Sequence, residues 1–219
     1  MRFTKDEIRR AMLLYAVTDR AWLKEEQTLL SVCEDVLGNG ATFLQIREKD
    51  LSPGAFEAEA AKLKALCEVR RVPYVVNDSV EIALAIGADG VHVGQSDIRG
   101  RDIRAIIGPD KILGISAGTV TEAVAAEQAG ADYIGVGAVF GTATKRNARN
   151  LSVEQLRKIC NAVSIPVVAI GGINASNLMD LTGSGVDGVA VVSAIFAAAD
   201  PGAATRALLA LAREMVAHG

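Results

Sequence analysis

The chain has 219 residues, of which half are apolar and 4% are aromatic, and its formal net charge is −3. This length suits one large α/β domain, and the absence of a basic stripe gives no support for nucleic-acid binding. The charged N-terminus MRFTKDEIRRAM lacks the apolar segment of a secretory signal, and no apolar run is as long as a membrane span. We therefore expect a cytoplasmic protein with no nucleic-acid or membrane partner.

Eight short apolar runs rich in β-branched residues predict strands. The runs are nearly continuous rather than alternating, which is typical of parallel strands covered on both faces. They are LLYAVTD (13–19), TFLQIRE (42–48), PYVVND (73–78), GVHVGQ (90–95), KILGIS (111–116), DYIGVGAVF (132–140), PVVAIGG (166–172) and GVAVVSA (188–194).

The segments between these runs predict helices, because they carry residues that begin and end helices. A capping box ahead of the first strand indicates a short extra helix at the N-terminus. The starts are indicated by Thr4 with Glu7, Ser52 with Pro53, and Ser152; the ends by Gly87, Gly130 and Gly183; and the last helix is predicted over 201–217.

Eight strand–helix units predict an α/β fold, a (β/α)8 TIM barrel forming a single domain over residues 1–219. The competing fold is a doubly wound sheet, which usually carries a glycine-rich dinucleotide turn after its first strand. Here YAVTDR (15–20) occupies that place and no GxGxxG follows. The barrel is therefore favoured.

The three cysteines, Cys33, Cys67 and Cys160, are widely spaced and form no CxxC pair or Cys/His metal pattern. Each falls in a segment predicted to be helical. We interpret them as small buried side chains of a protein in a reducing compartment.

Polar residues interrupt the second strand in FLQIREKD (43–50). Gln45, Arg47 and Lys49 recur at a spacing of two, which would place them on one face of a strand. Unpaired buried charge is costly, so this face must either be wet or hold an anion. Arg47 and Lys49 suit a diphosphate, one as a bidentate donor and one as a point charge. The alternative is a salt bridge to Glu48 or Asp50.

Asp78 and Asp97 follow neighbouring strands of the predicted barrel. Two carboxylates at adjacent strand ends could bind one Mg²⁺ and leave its other positions to phosphate and water. The alternative is that each aspartate caps the helix that follows its strand. The nearby cations favour the metal, because Mg²⁺, carboxylates and phosphates often occur together.

A second set of residues indicates another phosphate site. The glycines of VAIGGI and the helix start after VVSA resemble the phosphate-binding loops that follow strands seven and eight of many barrels. Lys145, after Thr142 and Thr144 on a glycine-led loop, adds a third cation to Arg47 and Lys49 at the first site, the alternative being an ordinary solvated lysine. The alternative for the glycines is tight packing at a barrel corner.

We find no candidate nucleophile in the sequence, because neither a Ser–His nor a Cys–His pair is evident and no lysine lies among apolar neighbours. His92, inside an apolar strand, is interpreted as a core histidine rather than a base. Trp22 either covers an aromatic ligand or packs on the rim. Two phosphate sites and a metal without a nucleophile indicate group transfer from a diphosphate ester.

These motifs together resemble the thiamine-phosphate synthase family, also called thiamine-phosphate pyrophosphorylase. The resemblance runs from about Leu14 to Ala198 in unbroken order. It rests on YAVTDR, QIREKD, VVND, DGVHVGQSD, LGIS, ADYIGVGAVFGTATK, VAIGGI and GVDGVAVVSAI.

The resemblance implies a transferase that joins 4-amino-2-methyl-5-hydroxymethylpyrimidine diphosphate to thiazole phosphate, with Mg²⁺ as cofactor. Its small-molecule substrates would be its partners, and a homo-oligomer is left open. The implied catalytic residues are Arg47, Lys49, Ser116 and Lys145. By the same resemblance, Gln45, Arg47, Lys49, Asn77, Ser116 and Lys145 would bind the pyrimidine diphosphate, Thr142, Thr144, Gly172, Val192 and Ser193 the thiazole phosphate, and Asp78 and Asp97 the metal.

The chain departs from the family pattern in three places. It has SAGT at 116–119, where many members have SAHT, Gly141, where many have proline, and Ser79, where arginine or aspartate is frequent. Three other functions stay open: a thiazole tautomerase on the same barrel, a non-catalytic thiamine-precursor binding protein, and a phosphosugar isomerase or aldolase. The full set of cations and aspartates favours the synthase.

Overall fold

Eight parallel strands close into a barrel in the order in which they occur in the chain, with β8 paired to β1. The computed structural model describes residues 3–141 and 151–218. The predicted (β/α)8 fold is confirmed. The strands are β1 Leu14–Val17, β2 Phe43–Ile46, β3 Tyr74–Asn77, β4 Gly90–Val93, β5 Ile112–Ala117, β6 Tyr133–Val136, β7 Val167–Ile170 and β8 Gly188–Val191.

Helices surround the barrel and connect its strands. The α-helices are α1 Lys5–Ala11, α2 Leu29–Gly38, α3 Pro53–Arg70, α4 Val80–Ala85, α5 Ile103–Ile107, α6 Val120–Gln128, α7 Val153–Cys160, α8 Ser193–Phe196 and α9 Pro201–Ala217, with 3-10 turns at Arg20–Trp22 and Leu178–Leu181. No helix in residues 3–141 or 151–218 combines the length and apolarity needed to cross a membrane.

The predicted helix starts are largely confirmed. Thr4 and Ser152 form complete capping boxes at α1 and α7. Ser52 lies at the N-cap of α3, but its side chain makes no capping hydrogen bond there. After β7 the helical prediction is wrong, because only a 3-10 turn forms. The Asn174 backbone N–H donates to the Asn177 side chain at 2.9 Å, a local turn that competes with helix.

The helix α1 packs on the amino-terminal end of the barrel. Its Ile8 and the adjoining Met12 are fully buried in one cluster with the interior side chains of Tyr15 and Phe43. This capping box and apolar face explain why a short helix precedes the first strand. Because α1 covers the amino end, the loops at the carboxyl ends of the strands are left to form a site.

The cysteines lie in helices, as predicted, and are free thiols. Cys33 and Cys67 are buried, and Cys160 at the end of α7 is half-buried. Burial raises the pKa of the Cys160 thiol to about 12, and it also raises the pKa of Cys33. Both side chains are therefore neutral thiols at physiological pH, which is a poor state for nucleophilic chemistry.

A repeated aspartate fixes the amino ends of alternate strand pairs. The aspartate just before β4, β6 or β8 accepts a hydrogen bond from a backbone N–H near the start of the preceding strand. The pairs are Tyr74 to Asp89 at 3.0 Å, Leu113 to Asp132 at 2.8 Å, and Val167 to Asp187 at 2.8 Å. These bonds fix the register between neighbouring strands far from the carboxyl ends.

We expect Asp132→Ala to lower the free energy of unfolding by about 3 kcal/mol, because the substitution breaks a largely buried ion pair. The Arg104 guanidinium lies 2.7 Å from Asp132 and also donates to the carbonyl of Gly130. For a chain of this size, thermal unfolding should shift down by roughly 6 to 12 °C. Glu154→Ala, which removes an exposed helical ion pair, is the control and should cost less than about 1 kcal/mol. Equal shifts for the two variants would contradict the assigned role of Asp132.

Candidate functional site

The polar residues of FLQIREKD lie at and just beyond the end of β2. This strand ends at Ile46, so the predicted strand over 42–48 is too long. Gln45 is buried inside the barrel, Arg47 is half-buried, and the Lys49 side chain is 49% exposed. The Arg47 backbone N–H donates to the Thr18 hydroxyl at 2.9 Å, which ties this segment to the end of β1. The two cations therefore lie beyond the end of β2 and outside the fully buried core.

The salt bridges of this segment differ from the alternative that the sequence left open. Lys49 donates to Asp78 at 2.5 Å, and not to Glu48 or Asp50. Glu48 instead accepts from Arg20 at 2.9 Å. Its side chain is 2% exposed, and within the described residues its other oxygen has no hydrogen-bond partner. The cation predicted to bind an anion thus lies beside a carboxylate predicted to bind a metal.

Asp78 has an unusual backbone conformation. Its φ of 61° lies in the left-handed region, which aspartate and asparagine tolerate better than most residues. Its N–H donates to the His92 carbonyl at 2.8 Å, so the residue is held against the end of β4. Asn77, the last residue of β3, lies half-buried beside it. This turn presents the Asp78 carboxylate at the barrel opening.

Asp97 lies in the loop after β4 and closes a tight turn. Its Oδ2 accepts from the Gly94 N–H at 2.8 Å. Neither Asp97 nor Asp78 caps a helix, because the N-cap of α4 is Ser79 and that of α5 is Asp102. The helix-capping alternative for the two aspartates is therefore wrong.

The donor set of Asp78 and Asp97 fits Mg²⁺. The hydrogen bonds and ion pairs described for these two carboxylates engage one oxygen of each. In residues 3–141 and 151–218 no cluster of three or more acidic, histidine or cysteine side chains forms a metal site. Mg²⁺ commonly takes one or two carboxylates and completes its shell with water and substrate phosphate. A two-aspartate site is consistent with a metal that arrives with a phosphorylated ligand.

A buried polar chain crosses the barrel from β2 to β5. Gln45 Nε2 donates to the Tyr15 hydroxyl at 2.5 Å, and the Tyr15 and Tyr133 hydroxyls lie 2.8 Å apart. The Tyr133 hydroxyl lies 3.0 Å from His92 Nδ1, and His92 Nε2 lies 3.0 Å from the Ser116 hydroxyl. We call these five residues the buried polar chain. It joins two residues predicted to bind the same substrate.

This geometry corrects one expectation from the sequence and confirms another. His92 is buried and hydrogen-bonded, as predicted for a core histidine. The prediction of no Ser–His pair is wrong, because His92 lies within hydrogen-bond distance of Ser116. Sequence reasoning also missed Tyr15 and Tyr133. The available signal was a polar aromatic residue in each of two otherwise apolar strands.

Two glycines provide the space for the buried polar chain. A Cβ on Gly114 of β5 would lie 2.6 Å from His92 Nδ1, besides meeting the Tyr133 ring. A Cβ on Gly135 of β6 would lie 3.1 Å from His92 Cε1. Both contacts are closer than a side chain tolerates without displacement of its neighbours. The imidazole therefore fills the space that these glycines leave on the neighbouring strands.

The predicted glycine-rich site lies at the ends of β7 and β8. Gly171 and Gly172 have φ values of 104° and 67°. Val192 is the N-cap residue of α8, and the exposed Ser193 is its first residue. The Phe140 N–H donates to the Gly171 carbonyl at 3.0 Å, which joins the loop after β6 to this site. The helix predicted after VVSA is present, but it begins inside that motif, at Ser193.

Other predicted residues fall in different places. Thr142, Thr144 and Lys145 lie outside the described residues. Trp22 lies in the 3-10 turn after β1 and is 47% exposed. Among the residues described, the strand ends thus place two groups of candidates at one end of the barrel.

Comparison with known proteins places this arrangement in a family. Thiamine-phosphate synthase from Ruminiclostridium cellulolyticum is 51% identical over 187 residues, covering 85% of this chain and 89% of the relative. The enzyme of the same name from Methanobrevibacter smithii is 45% identical over 196 residues, covering 90% and 93%. These relatives span nearly the whole of the barrel described above.

Solved structures agree with the sequence relatives. Thiamine phosphate pyrophosphorylase from Pyrococcus furiosus superposes with a TM-score of 0.87 at 38% identity, covering 95% of this chain and 99% of that chain. The sequence model of the thiamine monophosphate synthase family matches residues 14–195. This range includes β1 to β8 together with the strand-end residues from Gln45 to Ser193. The chain belongs to the thiamine monophosphate synthase family.

Proposed function

We propose that the protein is a transferase that joins 4-amino-2-methyl-5-hydroxymethylpyrimidine diphosphate to thiazole phosphate, forming thiamine phosphate and pyrophosphate. The observation that carries this proposal is the placement of Arg47, Lys49, Asp78 and Asp97 at the carboxyl ends of β2, β3 and β4. Cations and carboxylates at one opening suit a diphosphate that binds with a divalent metal. The family membership supports the same reaction.

Arg47 and Lys49 would bind the diphosphate, together with Gln45, Asn77, Ser116 and Lys145. Arg47 has the geometry for bidentate phosphate contacts, whereas Lys49 acts as a point charge. The ion pair between Lys49 and Asp78 is half-exposed, so Lys49 can exchange partners at little cost. Catalytic roles fall to Arg47, Lys49, Ser116 and Lys145, which would stabilise the charge that develops on the leaving group.

Asp78 and Asp97 would hold Mg²⁺. When bound, the metal would neutralise charge on the leaving diphosphate. A metal at Asp78 would compete with Lys49 for the carboxylate, which would leave Lys49 to contact the diphosphate. The two aspartates would thus fix the position of the leaving group relative to Arg47 and Lys49.

The proposed reaction is dissociative. The bond between the pyrimidine methylene carbon and the diphosphate oxygen breaks, and its electron pair leaves with pyrophosphate. The cation that forms is delocalised over the aminopyrimidine ring. The lone pair of the thiazole nitrogen then forms the new carbon–nitrogen bond. The protein residues bind and orient both substrates, and no covalent bond to the protein is needed.

The thiazole phosphate would bind at the glycine-rich site. Gly172, Val192 and Ser193 lie at the ends of β7 and β8, and Thr142 and Thr144 would complete the site. Backbone N–H groups of such loops bind phosphate in many barrels. Both substrates would then meet above the centre of the barrel, at its carboxyl end.

We also propose that residues 1–219 form one domain that works in the cytoplasm. The three cysteines are free, which is the state that a reducing compartment maintains. The proposed partners are the two small-molecule substrates.

A product assay tests the proposed function. The protein, both substrates and Mg²⁺ should yield thiamine phosphate and pyrophosphate in equal amounts, and omission of any one component should stop both. Formation of neither product by folded protein that still binds thiazole phosphate would overturn the proposal. That result would favour a thiazole tautomerase or a binding protein instead.

A further inference from the structure

The hydrogen bonds of the buried polar chain all run in one direction, with each donor on the Gln45 side of its acceptor. Gln45 Nε2 is a donor, so the Tyr15 oxygen accepts from it at 2.5 Å. The Tyr15 proton is then donated to the Tyr133 oxygen, 2.8 Å away. The Tyr133 proton is in turn donated to His92 Nδ1 at 3.0 Å. Each hydroxyl in this arrangement accepts one hydrogen bond and donates one, so that both are satisfied.

Burial keeps these protons in place. Tyr15 is 1% exposed and Tyr133 is 0% exposed, so neither hydroxyl exchanges its partner for water. Desolvation raises the pKa of both tyrosines well above the ordinary value for a phenol. Both therefore remain neutral donors over the physiological range. A buried chain of this kind orders all its protons together, because each unsatisfied group would be costly.

This direction decides what His92 can do to Ser116. A neutral imidazole whose Nδ1 accepts a hydrogen bond carries its proton on Nε2. His92 Nε2 then donates to the Ser116 hydroxyl oxygen, 3.0 Å away. A base that activates a serine nucleophile needs the opposite arrangement, with an unprotonated nitrogen facing the hydroxyl. In this arrangement His92 cannot accept the Ser116 proton, so the pair does not activate Ser116 as a nucleophile.

We propose that Tyr15, Tyr133 and His92 are positioning residues that hold the Ser116 hydroxyl as a hydrogen-bond donor to the ligand. With its oxygen accepting from His92, Ser116 directs its own proton away from the chain. The Gln95 side chain donates to the Ser116 carbonyl at 2.6 Å, which fixes the backbone that carries the hydroxyl. The inference rests on the proposed function only in naming the ligand, the pyrimidine diphosphate.

The tautomer of His92 tests the direction of these hydrogen bonds and can be measured without an activity assay. The chain has two histidines, His92 and the exposed His218, so ¹⁵N-labelled histidine gives two ring systems to assign. We expect long-range ¹H–¹⁵N correlations to show the proton of His92 on Nε2. In Tyr133→Phe, which removes the donor to Nδ1, both tautomers should be populated. A proton on Nδ1 in the unmodified protein would overturn the proposal, whatever the enzyme's activity.

A pair of matched Tyr→Phe substitutions distinguishes a positioning role of Tyr133 from a role in packing alone. Tyr74 is also fully buried, and its hydroxyl donates to the Ala60 carbonyl at 3.0 Å, outside the buried polar chain. Tyr133→Phe should lower kcat roughly 10-fold and change KM for thiazole phosphate less than twofold. Tyr74→Phe should keep kcat within twofold and leave the His92 spectrum unchanged. Equal losses in the two variants would mean that Tyr133 only stabilises the fold, and would overturn the proposal.

Two conservative replacements at His92 test whether a donor at the position of Nε2 preserves activity. Glutamine places an amide nitrogen near the position of Nε2, whereas asparagine places one near Nδ1. His92→Gln should therefore retain at least tenfold more activity than His92→Asn when both are equally folded. Equal activity of the two folded variants would overturn the assignment of a donor to Ser116.

Discussion

Asp78→Asn is expected to lower kcat/KM at least about 100-fold, because it removes a charge from the proposed metal and diphosphate site. The fold should persist for two reasons. Asparagine tolerates the left-handed backbone of this position, where φ is 61°. The ion pair with Lys49 is half-exposed, and such pairs contribute at most about 1 kcal/mol. Steady-state kinetics with varied Mg²⁺, together with thermal unfolding, measure both expectations.

Glu154→Gln is the matched control for Asp78→Asn. It makes the same change in net charge and breaks an ion pair of 2.8 Å with Lys158, but on the exposed surface of α7. We expect this variant to keep kcat/KM within twofold. Full activity of folded Asp78→Asn, or the same dependence on Mg²⁺ in all three proteins, would contradict the role of Asp78.

Gly172→Ala is expected to lower the free energy of unfolding by about 3 kcal/mol and to weaken thiazole phosphate binding. The left-handed backbone, with φ of 67°, costs an alanine about 1 kcal/mol or more. A Cβ would also collide with the carbonyl oxygens of Phe140 and Gly141, which adds about 2 kcal/mol. Displacement of those residues would disturb the segment after β6 that contacts the glycine-rich site. Urea unfolding and calorimetry with thiazole phosphate measure the two effects.

Gly183→Ala separates backbone strain from collision. Gly183 has a φ of 72°, close to that of Gly172, but a Cβ there would meet no atom within 4 Å. This variant should lose only about 1 kcal/mol, from the strain alone. If the two alanine variants were equally stable and bound thiazole phosphate equally well, close packing at Gly172 would have no role in the site.

The barrel could be predicted because its strands are buried on both faces. Each of the eight apolar runs matches one strand, with only β5 extending one residue beyond its run, since burial of both faces requires nearly continuous apolar residues. The ends of the runs were less predictable. The polar residues at 47–49 follow β2 instead of belonging to it. After β7, the Asn174 and Asn177 side chains satisfy local backbone groups, and an α-helix does not form.

The strand-end candidates could be predicted because charged and polar side chains directly follow the apolar runs that form the strands. Asp78 and Asp97 do lie on adjacent loops, as their order in the chain indicates. The pairing of Lys49 with Asp78 was not predictable, because it depends on how the loop after β2 turns toward β3. Only the structure shows that Asp78 and Asp97 have no capping role, because Ser79 caps α4 and Asp102 caps α5.

The buried polar chain illustrates what a single sequence conceals. Tyr15 and Tyr133 are 118 positions apart, and Tyr133 and His92 are 41 apart. Their hydroxyl and ring nitrogen meet only because the closed barrel points alternate side chains inward at a fixed register. Each residue alone reads as part of an apolar core. Sequence reasoning therefore identified Gln45 and Ser116, at the two ends of the buried polar chain, and missed the hydrogen bonds that connect them.

Calorimetric titration of inorganic pyrophosphate, with and without Mg²⁺, tests most directly whether Arg47 and the aspartates form a diphosphate site. We expect binding that requires Mg²⁺ and that weakens about 10- to 100-fold in Arg47→Ala, since each charged hydrogen bond contributes about 1.5 to 3 kcal/mol. Arg213→Ala, which removes an exposed cation from α9, should bind like the unmodified protein. Pyrophosphate binding that is indifferent to Mg²⁺ and to Arg47 would contradict a diphosphate site at the ends of β2, β3 and β4.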